Sequence, residues 1–194
     1  MKRSLAVLLA AGALLVAAPM SHASLISITT ALSAANEPGN IMSPGTGTAL
    51  VEIDTVAQTL HLAIVFSGLT SNTTAAHIHC CLATPLTGTT GVATTVPAFP
   101  GFPLGVTSGT YDMTLSLLSA GTYNPAFVTA QGGIPSAAAA LINGITTGLT
   151  YLNIHTVNNP GGEIRGFLIP EPQSLALLGI GMLTLVFGLR VFRR

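Results

Sequence analysis

Four histidines stand at spacings that would let them share one metal ion: His61, His77, His79 and His155. His77 and His79 flank Ile78. In an extended chain successive side chains point to opposite faces, so both imidazoles share a face with Cα atoms about 6.6 Å apart. That distance lets the two hold the same copper or zinc ion. Leu60 and Leu62 facing a core would turn His61 outward. Leu152 and Ile154 facing inward would turn Tyr151, Asn153 and His155 outward. If residues 71–72 centre a hairpin, His61 falls roughly opposite Cys81, beside the His77–His79 pair. Imidazole sites take three or four convergent ligands, so the metal reading requires the strand of His155 to lie near this hairpin. The reading placed first is different: His77, His79 and His155 are structural and hydrogen-bond to carbonyls of the loop 82–107.

Other reactive side chains are few. Cys80 and Cys81 are adjacent, and three states fit them: buried free thiols, a vicinal disulfide, or an intermolecular bridge through Cys81. Glu163 and Arg165, two residues apart, fall on one face of the last strand, where a partly exposed pair would pin that strand to a neighbour. There is no Gly-x-Ser-x-Gly elbow and no Gly-rich phosphate loop, and no two carboxylates are brought together by spacing. No catalytic residue is assigned.

The elements that must position these groups read as strands and turns. Ala49, Val51 and Ile53 alternate with polar neighbours, and Leu60, Leu62, Ile64 and Phe66 do the same. Further strands are expected at 74–81, at 111–117 with Tyr111, Met113, Leu115 and Leu117 on one face, at 149–157 and at 163–169. Residues 84–107, rich in Gly, Pro and Thr, form a long loop with a brief strand at 92–96, and the alanine run 135–143 after Pro135 forms one short helix. The pattern predicts an all-β fold, an antiparallel Greek-key sandwich or barrel with one short helix.

Only 6% of residues are charged while 49% are hydrophobic, and two terminal blocks account for the excess. Residues 1–23 have a basic start (Lys2, Arg3), an apolar centre, Pro19, and a small-x-small ending at Ala23: a secretory signal peptide. Residues 170–194 begin with Pro170, Glu171 and Pro172, continue as an apolar stretch over 174–192, and close on Arg193 and Arg194. At 1.5 Å per residue the uncharged part, 174–189, reaches about 24 Å, a short transmembrane helix with its arginines on the cytoplasmic side. Between the two blocks lies one domain, 24–169. Its acidic residues are Glu37, Glu52, Asp54, Asp112 and Glu163 against a single basic one, Arg165, so it has no electrostatic footprint for nucleic acid.

The Pro-Glu-Pro motif, short helix and arginine pair resemble the PEP-CTERM sorting signal. That resemblance implies cleavage near the motif by an exosortase, a transient membrane intermediate, and delivery to the cell surface or exterior. The domain resembles the CHRD domain, the module named after chordin. The stretches that carry the likeness are Leu32-Ser33-Ala34-Ala35-Asn36-Glu37-Pro38, His77-Ile78-His79, Tyr151-Leu152-Asn153-Ile154-His155-Thr156 and Pro160-Gly161-Gly162-Glu163-Ile164-Arg165-Gly166. Cys80 and Cys81 stand where the family often has glycine. The CHRD likeness implies an immunoglobulin- or superoxide-dismutase-type sandwich and marks Asn153, Glu163 and Arg165 as motif residues.

Two functions follow. The first is an exported, non-catalytic binding or structural module with exopolysaccharide or other surface proteins as partners. The second is a copper- or zinc-binding protein with dismutase-like redox chemistry. His-x-His resembles the copper side of Cu/Zn superoxide dismutases, but 82–109 lacks His, Asp and Glu and supplies no zinc subsite.

Overall fold

A computed structural model describes residues 25–170. Seven strands follow in chain order: β1 (Leu25–Ser33), β2 (Thr46–Asp54), β3 (Thr59–Ser67), β4 (Thr73–Cys80), β5 (Gly109–Ser116), β6 (Thr150–Thr156) and β7 (Ile164–Leu168). Two helices, α1 (Pro125–Gln131) and α2 (Ile134–Thr146), lie between β5 and β6. All pairings are antiparallel, in one sheet ordered β4-β6-β7-β1-β2-β3-β5.

The alternating patterns become the two faces of this sheet. Ala49, Val51 and Ile53 of β2, Leu60, Leu62, Ile64 and Phe66 of β3, Ile78 of β4 and Leu152 and Ile154 of β6 are all sealed in one core. Side chains from strands at opposite ends of the sheet meet in that core, so the sheet is curled into a half-barrel rather than flat. The loop after β4 and the two helices close its open side, with Phe99, Phe102, Phe127, Leu141 and Ile145 in the same core. On the edge strand β5, Tyr111 and Leu115 are buried but Met113 is exposed.

The all-β antiparallel class is as expected. The groups β4-β6-β7 and β1-β2-β3-β5 are joined in register at Ser33–Arg165 and share one core, so the curled sheet is sandwich-like. The expected β3–β4 hairpin does not form. β3 is hydrogen-bonded to β2 on one side and β5 on the other, so neither of its edges is open to β4. The chain instead turns at Gly68, whose φ of +71° favours glycine, and crosses to the far end of the sheet, where β4 pairs with β6.

The loop 82–107 contains no regular strand at 92–96. It carries single bridges, Val92 to His79 and Ala98 to Ala76. Ala93 and Thr94 both donate backbone hydrogen bonds to the Ile78 carbonyl, and Phe99 donates to that of Ala76. Prolines at 97, 100 and 103 withhold the amide hydrogens a continuous ladder needs.

Two helices stand where one was expected. α1 begins on Asn124, whose side chain accepts from the Ala126 amide, with Pro125 in the first turn, and ends at Gly132 in the left-handed region. This is the Asn-cap, Pro-start, Gly-stop signature. No single helix among the described residues is long and apolar enough to cross a membrane. The expected signal peptide 1–23 with its expected cleavage after Ala23, and the expected sorting tail with Glu171, Pro172, the expected transmembrane stretch 174–192, Arg193 and Arg194, lie outside the described residues.

Candidate functional site

β4 and β6 run side by side with His77 opposite Asn153, His79 opposite Tyr151 and Ala75 opposite His155. Ala76, Ile78, Leu152 and Ile154 take the core face. His77, His79, Tyr151, Asn153 and His155 therefore share the other face, as alternation requires. That face is not open to solvent, and β6 is buried along its whole length. The start of the loop after β4 and the turn before β7 cover it.

His77, His79 and His155 converge beneath this cover. One ring nitrogen from each lies within 4.8 Å of the others. Nδ1 of His77 faces Nε2 of His155 at 3.2 Å. Nδ1 of His79 donates to the Thr90 carbonyl at 2.8 Å, and Nδ1 of His155 to the Pro160 carbonyl at 2.9 Å. The Pro97 carbonyl faces the His77 ring. Nε2 of His79 is buried outside any geometric hydrogen bond, with the Asn153 side chain close enough to act on the ring. The rings of His79 and Tyr151 stack at 4.5 Å, and the Arg165 guanidinium sits 3.8 Å from the Tyr151 centroid.

Burial disfavours the imidazolium form of all three histidines. It holds His77 and His79 down to about 4, helped at His77 by its two histidine neighbours and opposed at His79 by the Thr90 carbonyl. His155 is lowered by the same desolvation, opposed by the Pro160 carbonyl and reinforced by the Arg165 charge. At neutral pH the cluster therefore presents uncharged imidazoles.

His61 does not join them. It lies on β3, with Nδ1 3.1 Å from Glu52 and Nε2 3.1 Å from Asp112. Its pKa is raised, foremost by the hydrogen bond to Asp112. The missing β3–β4 hairpin explains its separation from the cluster.

The motif residues Glu163 and Arg165 are buried and belong to different networks, so they are not a partly exposed pair. Arg165 pairs with Glu37, Nη2 to Oε2 at 2.7 Å, and its Nη1 donates to the Gly88 carbonyl at 3.0 Å. Asn153 donates to Glu37 Oε1 at 3.3 Å. Burial raises the Glu37 pKa despite the opposing Arg165 charge. Among the described residues no cation pairs with Glu163. It accepts from the Ser43 hydroxyl and the Thr70 amide, both at 2.6 Å, and from the hydroxyls of Thr70 and Thr156 and the amide of Asn159. Burial pushes its pKa up, but the bonds from Ser43, Thr156 and Thr70 outweigh this and hold it below the usual carboxylate value. Gly162 sits between the networks at φ +127°, and a Cβ there would collide with Glu37 and Asn153.

β4 ends at Cys80, so strand alternation no longer applies to Cys81, and the two sulfurs are joined as a vicinal disulfide. Of the three states open from sequence, this is the one observed. Both sulfurs face α2 near the Ala140 carbonyl and Gly144.

Sequence reasoning assigned no role to Glu37, although it lies in the quoted stretch 32–38. A lone acidic residue 128 positions from the only arginine of the domain carries no pairing signal; only the fold brings 37 and 165 together. The carbonyls of Thr90 and Pro97 at His79 and His77 come from the loop 82–107, as expected, whereas the Pro160 carbonyl at His155 lies outside that loop.

The buried motif residues Glu37, His77, His79, Asn153, His155, Glu163 and Arg165 thus fall in adjoining buried polar networks. The CHRD domain family matches residues 28–168, nearly all of the described chain. The chain belongs to the CHRD domain family. No characterised protein and no solved structure matches it. In this CHRD domain the polar residues of the quoted motifs are buried on one side of the strands, while Leu32, Ile78, Leu152, Ile154 and Ile164 of the same motifs face the core.

Proposed function

We propose that the chain is an exported cell-surface or extracellular-matrix protein whose CHRD domain serves as a non-catalytic binding or structural module. Membership of the CHRD family over residues 28–168 carries this reading. It is supported by the way Glu37, Glu163 and Arg165 are used. All three are buried in contacts that fasten loops to strands, which suits a scaffold more than a site that moves protons.

The sequence of the two ends supplies the route. A signal peptide over 1–23 would direct export, and a PEP-CTERM tail over 170–194 would hold the protein at the membrane until an exosortase releases it. Partners would then be exopolysaccharide or other surface proteins.

Intact-mass measurement on cell-exterior material tests the route. The expected mass starts at Ser24 and ends near Pro170–Pro172. Recovery outside the cell with the apolar tail attached would defeat the sorting step, and retention of the whole chain in the cytoplasm would defeat export.

A further inference from the structure

We propose that His77, His79 and His155 form a three-nitrogen site for a copper or zinc ion, with Nδ1 of His77, Nε2 of His79 and Nε2 of His155 as its ligand atoms. This goes beyond the module role and does not depend on the route of export.

Proton bookkeeping leads to these three atoms. A carbonyl oxygen can only accept, so the bonds to Thr90 and Pro160 place the protons of His79 and His155 on Nδ1. A neutral ring then has its lone pair on Nε2. The proton of His77 on Nδ1 can donate to that lone pair of His155 at 3.2 Å; moved to Nε2, it frees Nδ1 as a ligand. The lone pair of His79 Nε2 is buried in the same cluster, outside any geometric hydrogen bond. A cation bound by all three takes the place of the single proton between His77 and His155 and engages the His79 lone pair as well.

The dimensions suit such an ion. Metal–nitrogen bonds of about 2.0–2.1 Å put tetrahedral ligand atoms about 3.4 Å apart. His77 and His155 are already near that spacing, and with one nitrogen of each ring within 4.8 Å of the others, closing the set needs a shift of at most about 1.4 Å. Imidazoles without a carboxylate select copper or zinc over magnesium or calcium. Cys80 and Cys81, being joined, offer no thiolate. His79 and His155 are each oriented by a backbone carbonyl on Nδ1, the far side from the proposed ligand atom, the usual arrangement around metal-binding histidines. The nearby Arg165 charge opposes a cation, and Glu37 at 2.7 Å from it offsets that opposition.

The test is calorimetric titration of the chelator-stripped full chain with Zn²⁺ and Cu²⁺ at neutral pH, with Mg²⁺ as control. We expect one equivalent of Zn²⁺ or Cu²⁺ and no Mg²⁺. His77→Gln, His79→Gln and His155→Gln should each weaken binding at least about 100-fold, beyond the usual effect of outer-shell changes, whereas His61→Ala should leave it unchanged. Should a glutamine variant fail to fold, imidazole ¹⁵N resonances of the unaltered chain decide. Zn²⁺ should shift His77 Nδ1 and the Nε2 atoms of His79 and His155. Absence of binding, full binding by a folded glutamine variant, or ¹⁵N shifts confined to His22 or His61 would overturn the proposal.

Discussion

Arg165 and Glu37 meet at 2.7 Å with side chains only 2% and 1% exposed. Removing one partner of such a pair leaves the other charge buried and uncompensated. Arg165→Met should therefore cost about 3–5 kcal/mol in urea unfolding, and the double change with Glu37→Gln should cost less than the two single changes summed. Strict additivity would show that the two charges are not coupled.

Stability should fall on mild acidification. His77 and His79 titrate near 4 when folded and near 6.5 when unfolded. Between those values the unfolded chain binds more protons, so unfolding becomes easier as pH drops. The histidine contribution is complete above about 6.5, is lost progressively towards 4, and changes no further below it. Urea midpoints measured from pH 7.5 to 4 should show this slope, and replacing His77 with Gln should flatten it.

Glu163 predicts a second, more acidic loss. Its folded pKa lies below the ordinary value, so its contribution is present above that value and disappears as pH falls through the folded one. Glu163→Gln keeps the shape but offers one acceptor oxygen to a cage built of donors. It should cost about 2–3 kcal/mol at neutral pH. A neutral effect there would mean the cage rearranges freely.

Core and loop positions are expected to respond to truncation in a particular order. Ile64→Ala and Ile154→Ala should each cost about 2–5 kcal/mol. Thr107 is exposed and should tolerate alanine. Thr94 is also in the loop, but it is fully buried and its hydroxyl accepts from the Ile78 amide at 2.9 Å. Thr94→Ala should cost about 1–2 kcal/mol.

Thr94 also shows where the sequence stopped being legible. Period-two alternation placed Val51, Ile53, Leu60, Leu62, Ile64, Ile78, Leu152 and Ile154 in the core, because each strand buries one face and alternation records it. Strand pairing was not recorded in the same way. Ser71 and Asn72 look like a hairpin turn, and whether the next strand folds back or crosses the sheet depends on which edges other strands have taken. That misplaced His61 and left the partner of β4 unknown. The shared face of His77 and His79 follows from local spacing, while the approach of His155 depends on β4–β6 pairing across 78 residues of chain. The loop 82–107 is expected over the histidines, but which of its carbonyls reach them, Thr90 for His79 and Pro97 for His77, depends on how the loop docks along β4.

The loop after β4 is bonded along the strand that would otherwise end the sheet. A bare terminal strand is a template on which another chain can add itself, and proteins crowded on a surface meet such templates often. Here the roof over the histidines and the guard on that template are the same stretch of chain. Whatever loosens one must loosen the other, so a ligand that fastened the histidines to the loop would at the same time discourage strand-to-strand clumping between neighbouring copies.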